Sequence, residues 1–179
     1  MVDSRWQDKI LIVRYNRGDK EVLRRMYARY RRDLVTLATT LLFDKNQGED
    51  IVHEVFVKLV QNRERIRITS SLRGYLFRAV ANSARNANRL VRDKDPATMA
   101  ELGMIPSPTE QIVQAERCEK LTSALQQLPY EQREVLLLRH YGDLRFKAIA
   151  KCQGVSITTV QGRYSYGLKK LRSLLKGEL

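Results

Sequence analysis

The sequence predicts an all-α protein: two small helical domains joined by a flexible linker, the second containing a helix-turn-helix. Three observations carry that prediction. Apolar residues recur every three or four positions over long stretches, whereas strand-like alternation and Asn-Gly or Asp-Gly hairpin signals are absent. Three of the four prolines (Pro96, Pro106 and Pro108) gather with Gly103 between two periodic halves. A small residue, a glycine and a cap follow in close order at Ala150, Gly154 and Ser156, the layout of two crossing helices joined by a tight turn.

The first long helix is capped by Asp19. It carries Val22, Met26, Tyr30, Leu34, Leu37 and Leu41 on one stripe, about six turns long. Arg24, Arg25, Arg29, Arg31 and Arg32 occupy its other face. Asn46, Gln47 and Gly48 are expected to interrupt the pattern. A second helix follows with Val52, Val55, Phe56 and Leu59 buried, while Asp50, His53, Glu54 and Lys58 fall mostly on other faces. Residues 62–72 read as a loop. A third helix starts near Leu72 to Tyr75 and runs through Leu76, Ala79, Val80, Ser83 and Ala87 to about Val91. The domains are expected at 1–93 and 113–179, with the linker at about 94–112. In the second domain Leu121, Leu125 and Leu128 form one stripe. Pro129 opens a helix bearing Val135, Leu136 and Leu138, a short helix spans Phe146 to Gln153, and a last one runs from about Ser156 to Leu175.

Composition narrows the function classes. The chain holds 33 Lys and Arg against 20 Asp and Glu, a formal net charge of +13 in 179 residues. Residues 63–95 carry nine basic groups against three acidic, and residues 118–179 carry eleven against five. Two folded basic blocks point to a polyanion partner. No apolar run reaches the roughly 20 residues of a membrane span, and the run Ile10–Val13 is too short for a signal-peptide core. A cytoplasmic protein without membrane contact is expected. Cys118 and Cys152 stand 34 apart with no paired ligand spacing, so neither a disulfide framework nor a zinc site is expected. There is no GxxxxGK run, and no cofactor is expected.

The sharpest local signal is FKAIAKCQGVSITTVQGRYSYGLKKL, residues 146–171. Gly154 permits a left-handed turn, Ser156 is a natural N-cap, and Ile149, Val160 and Leu168 face inward. The second helix can then enter a major groove and present Thr158, Thr159, Gln161, Arg163, Tyr166 and Lys169 to bases or phosphates. Gly162 lies inside that helix, at a cost of about 1 kcal/mol relative to Ala. Either packing offsets the cost, or the missing side chain lets DNA approach closely.

Taken together, the two halves resemble a bacterial extracytoplasmic-function (ECF) sigma factor, over about residues 19–92 and 118–175. GEDIVHEVFVKLVQNRERI is similar to the family's region 2.2, which docks on the clamp helices of RNA polymerase. LRGYLFRAVANSARNANRLVR resembles regions 2.3 and 2.4, which melt and read the minus-ten element. LQQLPYEQREVLLLRHYGDLRFKAIA resembles region 4.1, and the segment from Val155 to Leu175 resembles region 4.2, which reads the minus-thirty-five element. The resemblance implies polymerase contacts from Asp50, His53 and Glu54. It implies minus-ten contacts from Ser70, Ser71, Arg73, Arg78, Asn82, Arg85, Asn86 and Arg89, and minus-thirty-five contacts from the helix-turn-helix residues named above. His53 stands where Gln is common, Asn86 where Asp is common, and Gln161-Gly162 where Lys-Ser is common. Tyr75 and Phe77 lie near the loop that captures a flipped base, but their helical spacing reads first as core. The implied partners are core RNA polymerase through its clamp helices and flap, promoter DNA, and an anti-sigma factor.

Two rival classes are separable. A stand-alone helix-turn-helix regulator acting as a dimer accounts for the second half but leaves residues 49–92 without a role, and it would bind a palindrome unaided. An enzyme would need an acid cluster or a paired histidine motif, and neither is evident.

Overall fold

A computed structural model describes residues 4–19, 21–69, 71–94 and 120–177. The described residues form helices α1 (Ser4–Asn16), α2 (Glu21–Leu42), α3 (Lys45–Gln61), α4 (Leu72–Lys94), α5 (residues 120–126), α6 (Tyr130–His140), α7 (Phe146–Gln153) and α8 (Ile157–Lys176). No strand occurs among them.

The stripe read on α2 is the centre of the first half. Val22, Met26, Leu34 and Leu37 have no solvent exposure, and Tyr30 and Leu41 are nearly as buried. Each such side chain contributes about 1.5–3 kcal/mol on burial, against a few tenths for an exposed ion pair such as Arg24–Glu21. The apolar stripe therefore orients α2, and the arginines occupy what remains. Val52, Val55, Phe56 and Leu59 of α3, and Leu72, Leu76, Phe77 and Val80 of α4, close the same core. Phe77 is thus a core residue, and Tyr75 packs half-buried against it. Asp19 accepts from the Glu21 backbone N–H at 2.9 Å and is bonded by Arg14. The Tyr15 hydroxyl donates to the Leu59 carbonyl at 3.1 Å, tying α1 to the end of α3.

Two expectations need correction. Asn46, Gln47 and Gly48 do not interrupt the helix; they lie in the first turns of α3. The break comes earlier, at Phe43, whose φ is +56°, and at Asp44, which caps α3 by accepting from Gln47 N at 3.0 Å. Gly48 is a packing residue: a Cβ there would stand 2.5 Å from Thr39 Oγ1 and 2.9 Å from the Thr39 backbone nitrogen. Leu121 does not share the stripe of Leu125 and Leu128. It is 42% exposed, and Ala124 is buried instead. The small apolar cluster that receives α5 is built on Leu125, Leu128 and Leu136, one turn beyond Leu121's reach. The expected linker lies almost wholly outside the described residues, as does Cys118; Cys152 carries a free thiol.

The halves are not separate in this arrangement. Val135, Leu138, Leu144, Ile149, Ala150 and Val160 belong to one continuous buried cluster with α2, α3 and α4. Arg133, only 6% exposed, reaches across from α6 and donates to the Leu41 carbonyl at 3.0 Å. A Cβ on Gly142 would meet Phe77 Cδ1 at 2.9 Å, so the turn after α6 sits directly on α4. No helix among the described residues is long and apolar enough to cross a membrane.

Candidate nucleic-acid interface

On α3 the side opposite Val52, Val55 and Phe56 is exposed. Asp50, His53 and Glu54 lie on it at spacings of three and four, a single outward surface with Glu54 paired to Lys58 at 2.6 Å. Asp44 fixes where this helix starts, and the buried Val52 and Phe56 fix its rotation.

The segment before α4 is anchored by Asn16. Its side-chain amide donates to the Ile68 carbonyl, and its Oδ1 accepts from the Ile68 N–H. Ser71 is exposed and its Oγ accepts from Gly74 N at 3.2 Å. Ser70 lies outside the described residues. Arg73 is engaged: it pairs with Asp33 at 2.8 Å, donates twice to the Tyr141 carbonyl, and sits over the Phe77 ring at 4.6 Å.

The polar face of α4 divides. Asn86 and Arg89 are exposed. Arg78 is half-buried, its Nε donating to the Gly74 carbonyl at 3.1 Å. Arg85 points into the second half, where it pairs with Glu134 at 2.5 Å and donates to the Cys152 carbonyl. Asn82 Oδ1 accepts from Arg85 at 3.2 Å and from the Cys152 thiol at 3.0 Å. Glu134 has no solvent exposure; burial pushes its carboxyl pKa up, against the pull of Arg85 and of Gln153, which donates to it at 2.7 Å. Burial also raises the Cys152 thiol pKa, although Arg85 opposes it.

The turn from α7 to α8 has the geometry that its sequence implies. Gly154 is left-handed at φ +67°, and both its N–H and that of Val155 donate to the Ala150 carbonyl. Ser156 caps α8, its Oγ accepting from Thr159 N at 3.0 Å. Ile149 and Val160 are fully buried. The same packing leaves Thr158, Thr159, Gln161, Tyr166 and Lys169 exposed, with Tyr166 at 70%. Arg163 sits on the flank and donates to Gln153 Oε1 at 2.7 Å. Tyr164 serves the fold: its hydroxyl is 2.9 Å from His140 Nε2 and its ring meets Phe146 edge-on.

The two halves thus present an acidic α3 surface, a basic and amide-rich α4, and an N-capped helix with a polar outer face. The profile described as Sigma-70 region 2 matches residues 26–94, and the one described as Sigma-70, region 4 matches residues 118–171. The chain belongs to the ECF sigma factors of the sigma-70 family. Curated relatives agree. The RNA polymerase sigma-H factor of Pseudomonas aeruginosa is 27% identical over 169 residues, covering 88% of each chain. The ECF RNA polymerase sigma factor SigX of Bacillus subtilis is 28% identical over 173 residues, covering 89% of this chain and 88% of that one. Among solved structures, CnrH in complex with the cytosolic domain of CnrY superposes with a TM-score of 0.67 at 22% identity, covering 96% of this chain and 99% of that chain. The sigma factor RpoE bound to the anti-sigma factor NepR, from Bartonella quintana, gives the same TM-score and identity over 86% of this chain and 96% of that one.

Sequence reasoning passed over the groups with which the second half of this sigma factor holds α4. Glu134 and the Tyr141 and Cys152 carbonyls were not singled out, nor was Asp33 of α2, which holds Arg73 from within the first half. One signal was present: Glu134 precedes the buried Leu138 by one helical turn, so an acid stood on an apolar stripe.

Proposed function

We propose that this sigma factor docks on core RNA polymerase through Asp50, His53 and Glu54, reads the minus-thirty-five element with α8, and engages the opened minus-ten strand with α4. Domain boundaries at 1–93 and 113–179 follow from that division of labour. The observation that carries the reading is the combination, in one chain, of a capped helix-turn-helix with an open polar face and a separate helix rich in arginine and amide groups. The first suits duplex DNA in the major groove; the second suits the phosphates and stacked bases of a displaced strand. The protein has no catalytic centre of its own in this reading and works in the cytoplasm, where the polymerase is.

The arrangement described above is then a closed one. Arg73, Asn82 and Arg85 are bonded to the second half, so the halves must part before these three side chains meet the minus-ten strand. Polymerase supplies the energy by binding the two halves at a separation the closed form does not have. Relatives solved with CnrY and NepR support a further partner for this chain, an anti-sigma factor that keeps the polymerase-facing surfaces covered.

The test is transcription in vitro with bacterial core polymerase on a genomic promoter library. Start sites that depend on the protein and share two upstream elements are expected. Tight binding to duplex DNA alone, with no binding to core, would support the stand-alone regulator instead. Within this assay, Asp50→Ala combined with Glu54→Ala should weaken core binding, and Asn86→Ala with Arg89→Ala should lower open-complex formation at unchanged core affinity.

A further inference from the structure

The recognition helix contains two glycines, and the fold accounts for only one of them. A Cβ on Gly167 would stand 3.1 Å from Gln132 Cβ and 3.4 Å from Leu136 Cδ1, so that glycine lets α8 lie close on α6. A Cβ on Gly162 would have no other atom within 4 Å outside the local helix backbone. Its backbone is helical, so no left-handed turn requires glycine there either. In a helix interior glycine is less stable than alanine, and at the partly exposed Gly162 the fold gains nothing visible in return. The packing alternative left open by the sequence is thereby removed.

Gly162 also stands at a particular place. At 100° per residue it lies on the side of α8 away from the buried Val160 and Gly167. Thr158 and Tyr166 are one turn to either side, and Lys169 lies two turns on; all three are exposed. The residue is the sixth of α8, counting from Ile157, within the half of a recognition helix that meets base edges. The outer face therefore has a gap at its centre, one side chain deep, between a threonine and an aromatic ring.

We infer that Gly162 is a specificity-determining residue, whose missing side chain forms a notch that admits a thymine methyl group on the major-groove edge. This rests on the promoter-reading role proposed above for α8. The chemistry selects the ligand. Gly162 offers no side-chain donor or acceptor, and its backbone groups lie inside the helix, so it recognises by shape and apolar contact. The thymine methyl is the apolar feature that the major-groove edge presents. Added bulk at Gly162 occupies the notch and pushes the helix off the base.

The test uses the full chain with core polymerase, on a promoter recovered from the library experiment. Gly162→Ala should melt a few degrees higher than the wild type, because a partly exposed helix position with room for a Cβ gains a better helix former. It should bind core unchanged and yet transcribe about tenfold less, the usual scale of one lost base contact. Replacing thymines of the upstream element one at a time by uracil, which lacks only the methyl, should lower wild-type transcription at one position. The same replacement should leave Gly162→Ala unaffected. A Gly162→Ala protein that transcribes like the wild type, or one that melts lower, overturns the inference while the promoter reading stands. Wild-type transcription indifferent to every uracil replacement also overturns it. A wild-type protein that yields no transcript from any promoter overturns the promoter reading, and this inference with it.

Discussion

The outer faces of α4 and α8 are built from similar materials but stand in opposite states. Both carry cations and small polar side chains opposite an apolar stripe. On α8, Thr158, Tyr166 and Lys169 are open to a ligand as the chain stands. On α4, Asn82 and Arg85 are held by Cys152 and Glu134 of the second half, and Arg73, at its start, is held by Asp33 and the Tyr141 carbonyl. The difference lies in the neighbours and not in the faces. Duplex DNA is available before transcription starts, whereas the single strand exists only once the polymerase has opened it. On the division of labour proposed above, the α8 surface for duplex DNA stays uncovered, while the α4 surface for single strands is covered until the polymerase parts the halves.

The largest expected effect comes from breaking the contact that closes α4. Glu134→Ala leaves Arg85, about a third exposed, without its countercharge, and Gln153 keeps only the Glu131 carbonyl of its two acceptors. Removing one member of such a pair should cost about 3 kcal/mol. The denaturation midpoint should fall and small-angle scattering should show a more extended chain. An unchanged scattering profile would mean that apolar packing alone holds the halves together. Next in size is the geometry of the open face. Ser156→Ala removes the acceptor for Thr159 N and should lower stability by about 1 kcal/mol, read from the same denaturation curves. A loss confined to α8 should leave the scattering profile compact.

Lys169→Ala asks whether the open face meets phosphates now. It should leave the melting temperature unchanged and reduce the salt slope of duplex binding by about 0.9. The corresponding change at Arg85 should leave that slope as it is, because the Arg85 charge is already engaged inside the protein. The smallest effect is a pH dependence far from both faces. Arg14 holds the Asp19 carboxyl below its ordinary value of 3.8. A depressed folded pKa gives stability that is present above the ordinary value and lost as pH falls through the depressed one. Melting curves of wild type and Asp19→Asn should therefore differ above pH 4 and converge in stronger acid.

Much of this architecture was legible in periodicity. The α2 stripe, the Gly154 turn, the Ser156 cap and the exposed side of α3 follow from spacing and from local backbone chemistry, which act within a few residues. The expectations that failed depended on distant neighbours. Gly48 reads as a helix breaker until Thr39 is seen lying against it. Leu121 reads as core until the cluster around Leu136 is seen to end one turn short of it. Arg85 is a different case: the role proposed for it stands, but nothing in its own helix indicates the buried carboxylate, 49 residues further on, that holds it in this arrangement.

By itself the sequence determined the helices, their inward stripes, the helix-turn-helix and the kinship with sigma factors. Each of these rests on patterns of one or two turns, where side-chain spacing and capping dominate. The tertiary structure decided which charged groups are free. That question turns on whether two helices far apart in sequence place a cation and an anion within hydrogen-bonding distance away from water. No local pattern encodes such a distance; only the packing of α6 and α7 against α4 sets it.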